Sequence, residues 1–217
     1  MTNLSPVLGA RAPLSPAVAK TLRQTFLVVA AMWAITGVAS ALTLFLNLSP
    51  WVSLAAMVAS LVLIFVVSKF RDRPAGLGLL GLFAGLQGLS LGPLLSHHLG
   101  MASGPQTVAT AAGLTVVAMF ATASYVTTTR RDFSAMRGFL VAGLMVLVVA
   151  SIVGIFVASS TLSVVLGAVG ALLFLGFMLH DISDVVHGRQ TNYVMAAMDT
   201  YLNMVNLFVS LLRLSRD

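Results

Sequence analysis

Five polar residues on the last apolar segment of the chain are the first candidates for chemistry. Asp199, Asn203, Asn206, Ser210 and Arg213 follow one another at spacings of four, three, four and three residues. Because an α-helix has about 3.6 residues per turn, this spacing places all five on one helical face. Polar side chains are expensive in lipid, so we expect this stripe to face the centre of a bundle. Hydrogen bonding between helices and an ion or proton pathway both explain the stripe.

Two more carboxylates, Asp181 and Asp184, lie near the inner end of the preceding apolar segment. An aspartate at mid-bilayer costs about 2.5–3.5 kcal/mol on insertion scales, so its presence there favours a function. The alternative is that both residues lie in the interface and help to end the helix. The candidates for an ion or proton pathway are therefore Asp181, Asp184, Asp199, Asn203 and Asn206.

The third apolar segment carries glycines at spacings of four, three and four residues: Gly81, Gly85, Gly88 and Gly92. This pattern places four glycines on one helical face, where the backbone of another helix can approach closely. We expect a helix-packing face, with a pore-lining or hinge role as the alternative. Pro93 follows and is expected to kink the helix near its outer end.

Enzymatic chemistry has little support in the sequence. The chain has no cysteine and no glutamate, so it has neither a cysteine nucleophile nor an H-E-x-x-H motif. His97 and His98 are adjacent, so they do not share a helical face, and His180 has no metal-ligand spacing with another histidine. We expect no enzyme activity, no cofactor and no metal site.

The elements that position these residues are helices within a lipid bilayer. Of the 217 residues, 59% are hydrophobic and 8% charged, and the mean hydropathy is +1.01. A soluble protein carries roughly 25% charged residues, so a soluble helical protein with a large core is the weaker alternative. The apolar runs are long enough to span a membrane and do not alternate with period two. They cover residues 26–48, 51–67, 76–99, 108–128, 138–157, 162–179 and 194–214.

The basic residues predict the orientation. Ten of the 12 Lys and Arg residues lie in the N-terminal segment and in alternate connections, and the other two flank the end of the last helix. This positive-inside bias places the N-terminus in the cytoplasm and argues against nucleic acid as a partner. We therefore divide the chain into a cytoplasmic tail, residues 1–22, and a seven-helix transmembrane domain, residues 23–217. The last helix spans fully or, alternatively, is re-entrant.

Four stretches resemble the Bax inhibitor-1 family. Residues 83–93, FAGLQGLSLGP, resemble the family signature, and residues 201–212, YLNMVNLFVSLL, resemble its terminal helix. Residues 124–132 and 187–193 are similar to its proteobacterial YccA-like branch. The likeness extends from about residue 20 to the C-terminus, with the four matches in the right order.

This resemblance implies an all-α fold with six helices around a central, polar last helix, and it implies two functions. The YccA branch is associated with the membrane AAA protease FtsH, as a substrate and modulator. Other members behave as pH-sensitive calcium leaks, gated by a pair of carboxylates on the last two helices.

Asp181 matches the first carboxylate of that pair, but Asn203 stands at the second position and cannot share a titratable proton. We therefore expect a modulator of FtsH in the bacterial inner membrane, with a calcium or cation leak as the alternative. The expected partners are the lipid bilayer, FtsH and, for the alternative, calcium ion.

Overall fold

The computed structural model describes residues 13–157 and 159–215, apart from the side chain of Ile155. The described residues form seven α-helices and no strand, with a short 3-10 turn, Ser134–Met136, before α5. The helices are α1 Pro16–Phe45, α2 Pro50–Phe70, α3 Ala75–Leu99, α4 Gly104–Thr129, α5 Arg137–Val157, α6 Ser160–Val186 and α7 Tyr193–Leu214.

All seven helices are long and apolar enough to cross a bilayer, which confirms the predicted all-α, seven-helix membrane fold. The shortest, α2 and α5, have 21 residues each and are therefore about 31 Å long. The last helix is continuous over its 22 residues, long enough for a full span.

Two helix boundaries differ from the sequence-based expectation. Helix α1 begins at Pro16, because the Ser15 hydroxyl caps it by accepting a hydrogen bond from the Val18 amide and proline is favoured in the first turn. Residues 16–22 of the predicted tail are therefore helical, and residues 1–12 lie outside the described residues. Helix α6 continues to Val186, so Asp181 and Asp184 lie within the helix and do not end it.

Helix α7 lies at the centre of the bundle and is the most buried of the seven. It packs against α6, α1, α4 and α3. By contrast, α2 packs on α3, and α5 packs on α6. The central last helix thus has four close neighbours, while α2 and α5 form an outer layer.

The connections that carry most of the basic residues meet at one end of the bundle, which we call the basic end. There the Asn192 amide donates to a carboxylate oxygen of Asp72 at 2.7 Å, which ties the start of α7 to the α2–α3 connection. At the opposite end, the far end, Nε2 of His98 on α3 lies 3.2 Å from the backbone oxygen of Leu212 on α7. Side-chain contacts therefore fix the central helix at both ends.

Candidate functional site

The carboxylate of Asp181 and the amide of Asn203 form the centre of a polar cluster near the basic end. Nδ2 of Asn203 donates a hydrogen bond of 2.6 Å to Oδ2 of Asp181, which joins α6 to α7. Asn203 is only 8% exposed. The amide acts as a donor, so the pair is held together without a shared proton.

His180 connects Asp181 with Asp184. Its Nδ1 lies 3.0 Å from Oδ1 of Asp181, and its Nε2 lies 3.8 Å from Oδ2 of Asp184. The imidazole is 7% exposed and lies one helical turn before Asp184. One imidazole therefore lies between the two carboxylates.

Arg189 closes the cluster from the α6–α7 connection. Its Nε donates to Oδ1 of Asp184 at 2.6 Å, and its two terminal nitrogens form a bidentate pair with Asp132 at 3.0 and 2.7 Å. The chain can turn back over α6 because Gly188 adopts a φ of 72°, a left-handed conformation that glycine takes without strain. The backbone oxygen of Asp184 accepts the Arg189 and Gln190 amides, which fixes this turn.

The ion pair between Arg189 and Asp132 links two connections that are distant in sequence. The backbone amide of Ser134 and the Arg189 guanidinium hold the pKa of the Asp132 carboxyl well below its usual range. The same contact with Asp132 raises the pKa of Arg189. Beside them, the Ser183 hydroxyl accepts the Phe133 amide at 3.1 Å, so the α4–α5 connection is attached both to α6 and to the α6–α7 connection.

Asp199 lies in the same region but has a different environment. Together with Asp181, Asp184 and Asn203 it lines a cavity of about 460 Å³ between α5, α6 and α7. Among the described residues no side chain forms a hydrogen bond or ion pair with the Asp199 carboxylate. This carboxylate therefore faces the cavity without the contacts that hold Asp181 and Asp184.

The rest of the α7 stripe lines a second cavity further along the helix. Asn206, Ser210 and Arg213 border a space of about 480 Å³, whose opposite wall belongs to α5. Arg213 also borders a third cavity of about 380 Å³ at the far end, with His97 and His98. The stripe thus faces the gap between α5 and α7, and only part of it is buried against α6.

On the α3 glycine face, Gly88 and Gly92 lie tightly against α1. A Cβ atom at Gly88 would lie 2.5 Å from the Thr36 carbonyl oxygen and 2.6 Å from Cβ of Ala39. A Cβ at Gly92 would overlap the Thr43 side chain. At these two positions only glycine leaves room for the neighbouring helix.

The other two glycines of the face, Gly81 and Gly85, have more room. A Cβ at Gly81 would lie 3.7 Å from the Ile35 side chain, and one at Gly85 would lie 3.9 Å from it. Both are ordinary van der Waals distances. The glycine pattern therefore correctly predicts a packing face on α3, but only Gly88 and Gly92 are in tight contact with α1.

His180, Arg189 and Asp132 were not predicted from the sequence as members of the cluster. The spacing of four residues between His180 and Asp184 was a usable signal, because such residues are neighbours on a helix. Arg189 was counted among the basic residues that predict topology, and Asp132 was noted only within the stretch 124–132 that resembles the family. Their distance in sequence gave no sign that they pair. Among the described residues, no three His or Asp side chains are placed to hold a metal ion.

A family model and several curated proteins match the chain. The model described as "Inhibitor of apoptosis-promoting Bax1" matches residues 18–216. A protein of Escherichia coli strain K12, named "Modulator of FtsH protease YccA", is 34% identical over 203 residues, which cover 91% of this chain and 92% of that protein.

Two further relatives come from different sources. An uncharacterized membrane protein of Vibrio cholerae is 38% identical over 194 residues, covering 89% of this chain and 87% of the relative. A "Golgi anti-apoptotic protein" of Vaccinia virus is 35% identical over 172 residues, covering 78% of this chain and 70% of the relative. The similarity therefore extends across nearly the whole membrane domain and is shared by bacterial and viral proteins.

Proposed function

The chain belongs to the Bax inhibitor-1 family, and on that premise we propose that it modulates the membrane protease FtsH and is also its substrate. The observation that carries the proposal is the 34% identity, over 91% of the chain, to the Escherichia coli protein named as a modulator of FtsH protease. The similarity covers 91% of the chain, and the family model matches residues 18–216, so both apply to the membrane domain that a membrane-anchored partner would meet.

The basic end supports this proposal as the surface that the protease meets. We orient the chain with this end toward the cytoplasm of a bacterial cell, as its concentration of Lys and Arg residues predicts. The contacts of Arg189 with Asp132 and of Asn192 with Asp72 hold three connections together there. A surface that binds the protease requires such a fixed arrangement. A substrate of the protease also requires a terminal segment that the protease can bind and pull.

In this proposal the protease begins degradation at the N-terminal segment. Helix α1 begins at Pro16 with the Ser15 cap, so a deletion of residues 2–12 leaves the start of the helix intact. We expect this deletion to lengthen the lifetime of the protein in cells and to protect other membrane substrates of FtsH. Replacing the same residues with a Gly-Ser segment of equal length is the control and should preserve turnover, since the segment acts by its length.

The measurement combines a chase of the tagged protein after synthesis is stopped with capture from mild-detergent membranes, read by mass spectrometry. FtsH is expected among the captured proteins for both the full chain and the truncated form. Unchanged turnover of the truncated protein, together with no recovery of FtsH, would show that the proposal is wrong.

A cation leak is the second candidate function, and one observation favours it. Polar residues of α7 border three successive cavities between the basic end and the far end. We rank the cation leak second because Asn203 occupies one position of the expected carboxylate pair. Its side-chain amide donates a hydrogen bond to Asp181 and cannot share a titratable proton with it.

This ranking predicts little calcium flux from the purified protein in liposomes loaded with a calcium dye, with weak dependence on pH. Asn203→Asp is expected to introduce or sharpen a pH response, because two carboxylates at this distance cannot both ionise cheaply. Asp181→Asn in that background should abolish the response. Robust pH-gated leakage from the unmodified protein would reverse the ranking and direct attention to Asp199.

A further inference from the structure

A fourth cavity lies on the opposite side of α7, between α1 and α4. Its volume is about 440 Å³, and the buried side chains of Val29, Met119, Ala123 and Met204 form its floor. Phe120, at its rim, is 67% exposed, so the cavity opens sideways from the bundle. The remaining lining residues are Phe26, Ala30, Trp33, Val116, Ser124 and Thr127.

The mostly apolar lining of this cavity indicates what kind of molecule can occupy it. Apart from the Trp33 indole, only Ser124 and Thr127 contribute polar side chains, and the Thr127 hydroxyl already donates to the backbone oxygen of Ala123 at 2.7 Å. A water molecule in a cavity needs two to four polar partners, which these walls do not supply. An apolar chain from the surrounding bilayer fits them better.

The dimensions are those of part of an acyl chain. From Phe26 to Trp33 the cavity follows seven residues of α1, which corresponds to about 10 Å. Helix α1 begins at the basic end and α4 ends there, so the cavity lies along the bundle axis, parallel to the direction of lipid chains. An occupant that enters from the side can therefore keep the orientation it has in the bilayer.

Positive charge lies at the end of the cavity nearest the basic end. Arg23 precedes Phe26 by three residues on α1 and so lies on the cavity side of that helix. Arg130 directly follows the end of α4, and its Nε donates to the backbone oxygen of Thr127, a cavity residue, at 3.2 Å. Exposed Arg131 follows directly. The nearest acidic residue in the sequence, Asp132, is paired with Arg189. The charge at this mouth is complementary to a lipid phosphate.

We propose that the cavity between α1 and α4 binds an acyl chain of an anionic glycerophospholipid, with the phosphate beside Arg23 and Arg130. The chain lies against the buried floor, in contact with Met204 of α7. Because Trp33 forms edge-to-face contacts with Tyr201 and Phe208 of α7, the bound lipid adjoins the aromatic cluster at the centre of the bundle.

The two tryptophans of the chain allow a direct test by fluorescence quenching. Trp51→Phe leaves Trp33 in the cavity wall as the reporter, and Trp33→Phe leaves Trp51, which is 77% exposed at the far end. Each variant is placed in phosphatidylcholine vesicles that contain a small fraction of phosphatidylglycerol or phosphatidylcholine brominated in mid-chain. Bromine quenches a tryptophan that it contacts.

We expect brominated phosphatidylglycerol to quench Trp33 at a fraction at least fivefold lower than brominated phosphatidylcholine, since each basic residue near a membrane surface contributes about fivefold in relative affinity. Trp51 should be quenched equally by both lipids. Arg23→Gln should reduce the preference at Trp33 about fivefold, and Ala123→Phe should lower quenching by both lipids because its ring fills the floor.

Three results would overturn the proposal: no quenching of Trp33, equal quenching of Trp33 by the two lipids, or the same preference at Trp51. The third would mean that anionic lipid collects around the whole protein and not in this cavity. If Ala123→Phe does not fold, the comparison of the two single-tryptophan variants still decides the outcome.

Discussion

The interface between α1 and α3 and the gap between α5 and α7 both place polar side chains inside the membrane region, but they use them differently. In the interface, the hydroxyls of Thr36 and Ser40 donate to the backbone oxygens of Ala84 and Gly88, each at 3.0 Å. In the gap, Asn206 lines a cavity of about 480 Å³. The same kind of residue completes a close contact in one place and borders open space in the other.

The difference comes from the small residues opposite each polar group. Glycine at position 88 lets α3 approach until hydroxyls on α1 reach its backbone. Gly167 and Gly170 on α6 also lie close to Ser210 of α7, whose hydroxyl donates to the Asn206 backbone oxygen of its own helix. Opposite Asn206, α5 presents Leu144 and Val148 across the cavity, and no such approach occurs. Thr36 and Ser40 therefore reach the neighbouring helix because small residues face them, whereas Asn206 borders a cavity.

Filling the closest contact should have the largest effect on stability. Gly88→Leu places a side chain against the Thr36 carbonyl oxygen, which belongs to the backbone and cannot rotate away. Overpacking of this kind typically costs about 1–3 kcal/mol and often more when backbone must shift. We expect little folded protein in membranes, measured as the monodisperse fraction after mild-detergent extraction and as its melting temperature.

Gly85→Leu is the matched control on the same face of α3. Its Cβ would lie 3.9 Å from the flexible Ile35 side chain, so the folded yield should remain close to wild type. Equal loss for both variants would mean that the whole face is packed tightly and that the distinction between positions 85 and 88 is wrong.

Breaking the hydrogen bond between Asn203 and Asp181 should have an intermediate effect. Asn203→Leu leaves a largely buried carboxylate without its donor from α7, which typically costs about 1–3 kcal/mol. Asn206→Leu removes an amide that only borders the gap, so it should lower the melting temperature less than Asn203→Leu does. Thermal unfolding of the two variants in the same detergent gives the comparison, and a larger loss for Asn206→Leu would contradict it.

Removing the ion pair at the basic end should have the smallest effect, because Arg189 and Asp132 are both exposed to solvent. Arg189→Gln is expected to lower the melting temperature slightly at pH 7. The pKa of Asp132 is held below its usual range by the Ser134 amide and Arg189, so the stabilisation is present above the unfolded carboxyl pKa of about 3.9.

This stabilisation is lost as the pH falls through the lowered value, and it is screened by salt. The difference between Arg189→Gln and wild type should therefore shrink below about pH 4 and in high salt. Arg71→Gln is the control, since Arg71 lies 3.5 Å from its neighbour Asp72 in an exposed pair. A loss that grows on acidification would show that Arg189 acts through another group.

The helices, and much of the candidate site, could be predicted because they follow from local patterns. Apolar length fixes the number of spans, and the spacing of Asp199, Asn203 and Asn206 fixes their shared face on α7. The start of α1 at Pro16 was missed because polar residues continue the helix beyond the apolar run. The pairing of Arg189 with Asp132 was missed because those residues are 57 positions apart in sequence.

The sequence by itself determined that this chain is a seven-helix membrane protein, because composition and apolar length decide the solvent. Its four motif stretches, and the match to the family model, placed it in the Bax inhibitor-1 family. Only the tertiary structure decided which polar residues touch and which border a cavity. The same stripe on α7 contains Asn203, bonded to Asp181, and Asn206, facing a gap, and their spacing does not distinguish them. The physical reason is that contact depends on what the facing helix presents, a carboxylate opposite Asn203 and apolar side chains across the gap from Asn206, and the periodicity of a single helix does not record this.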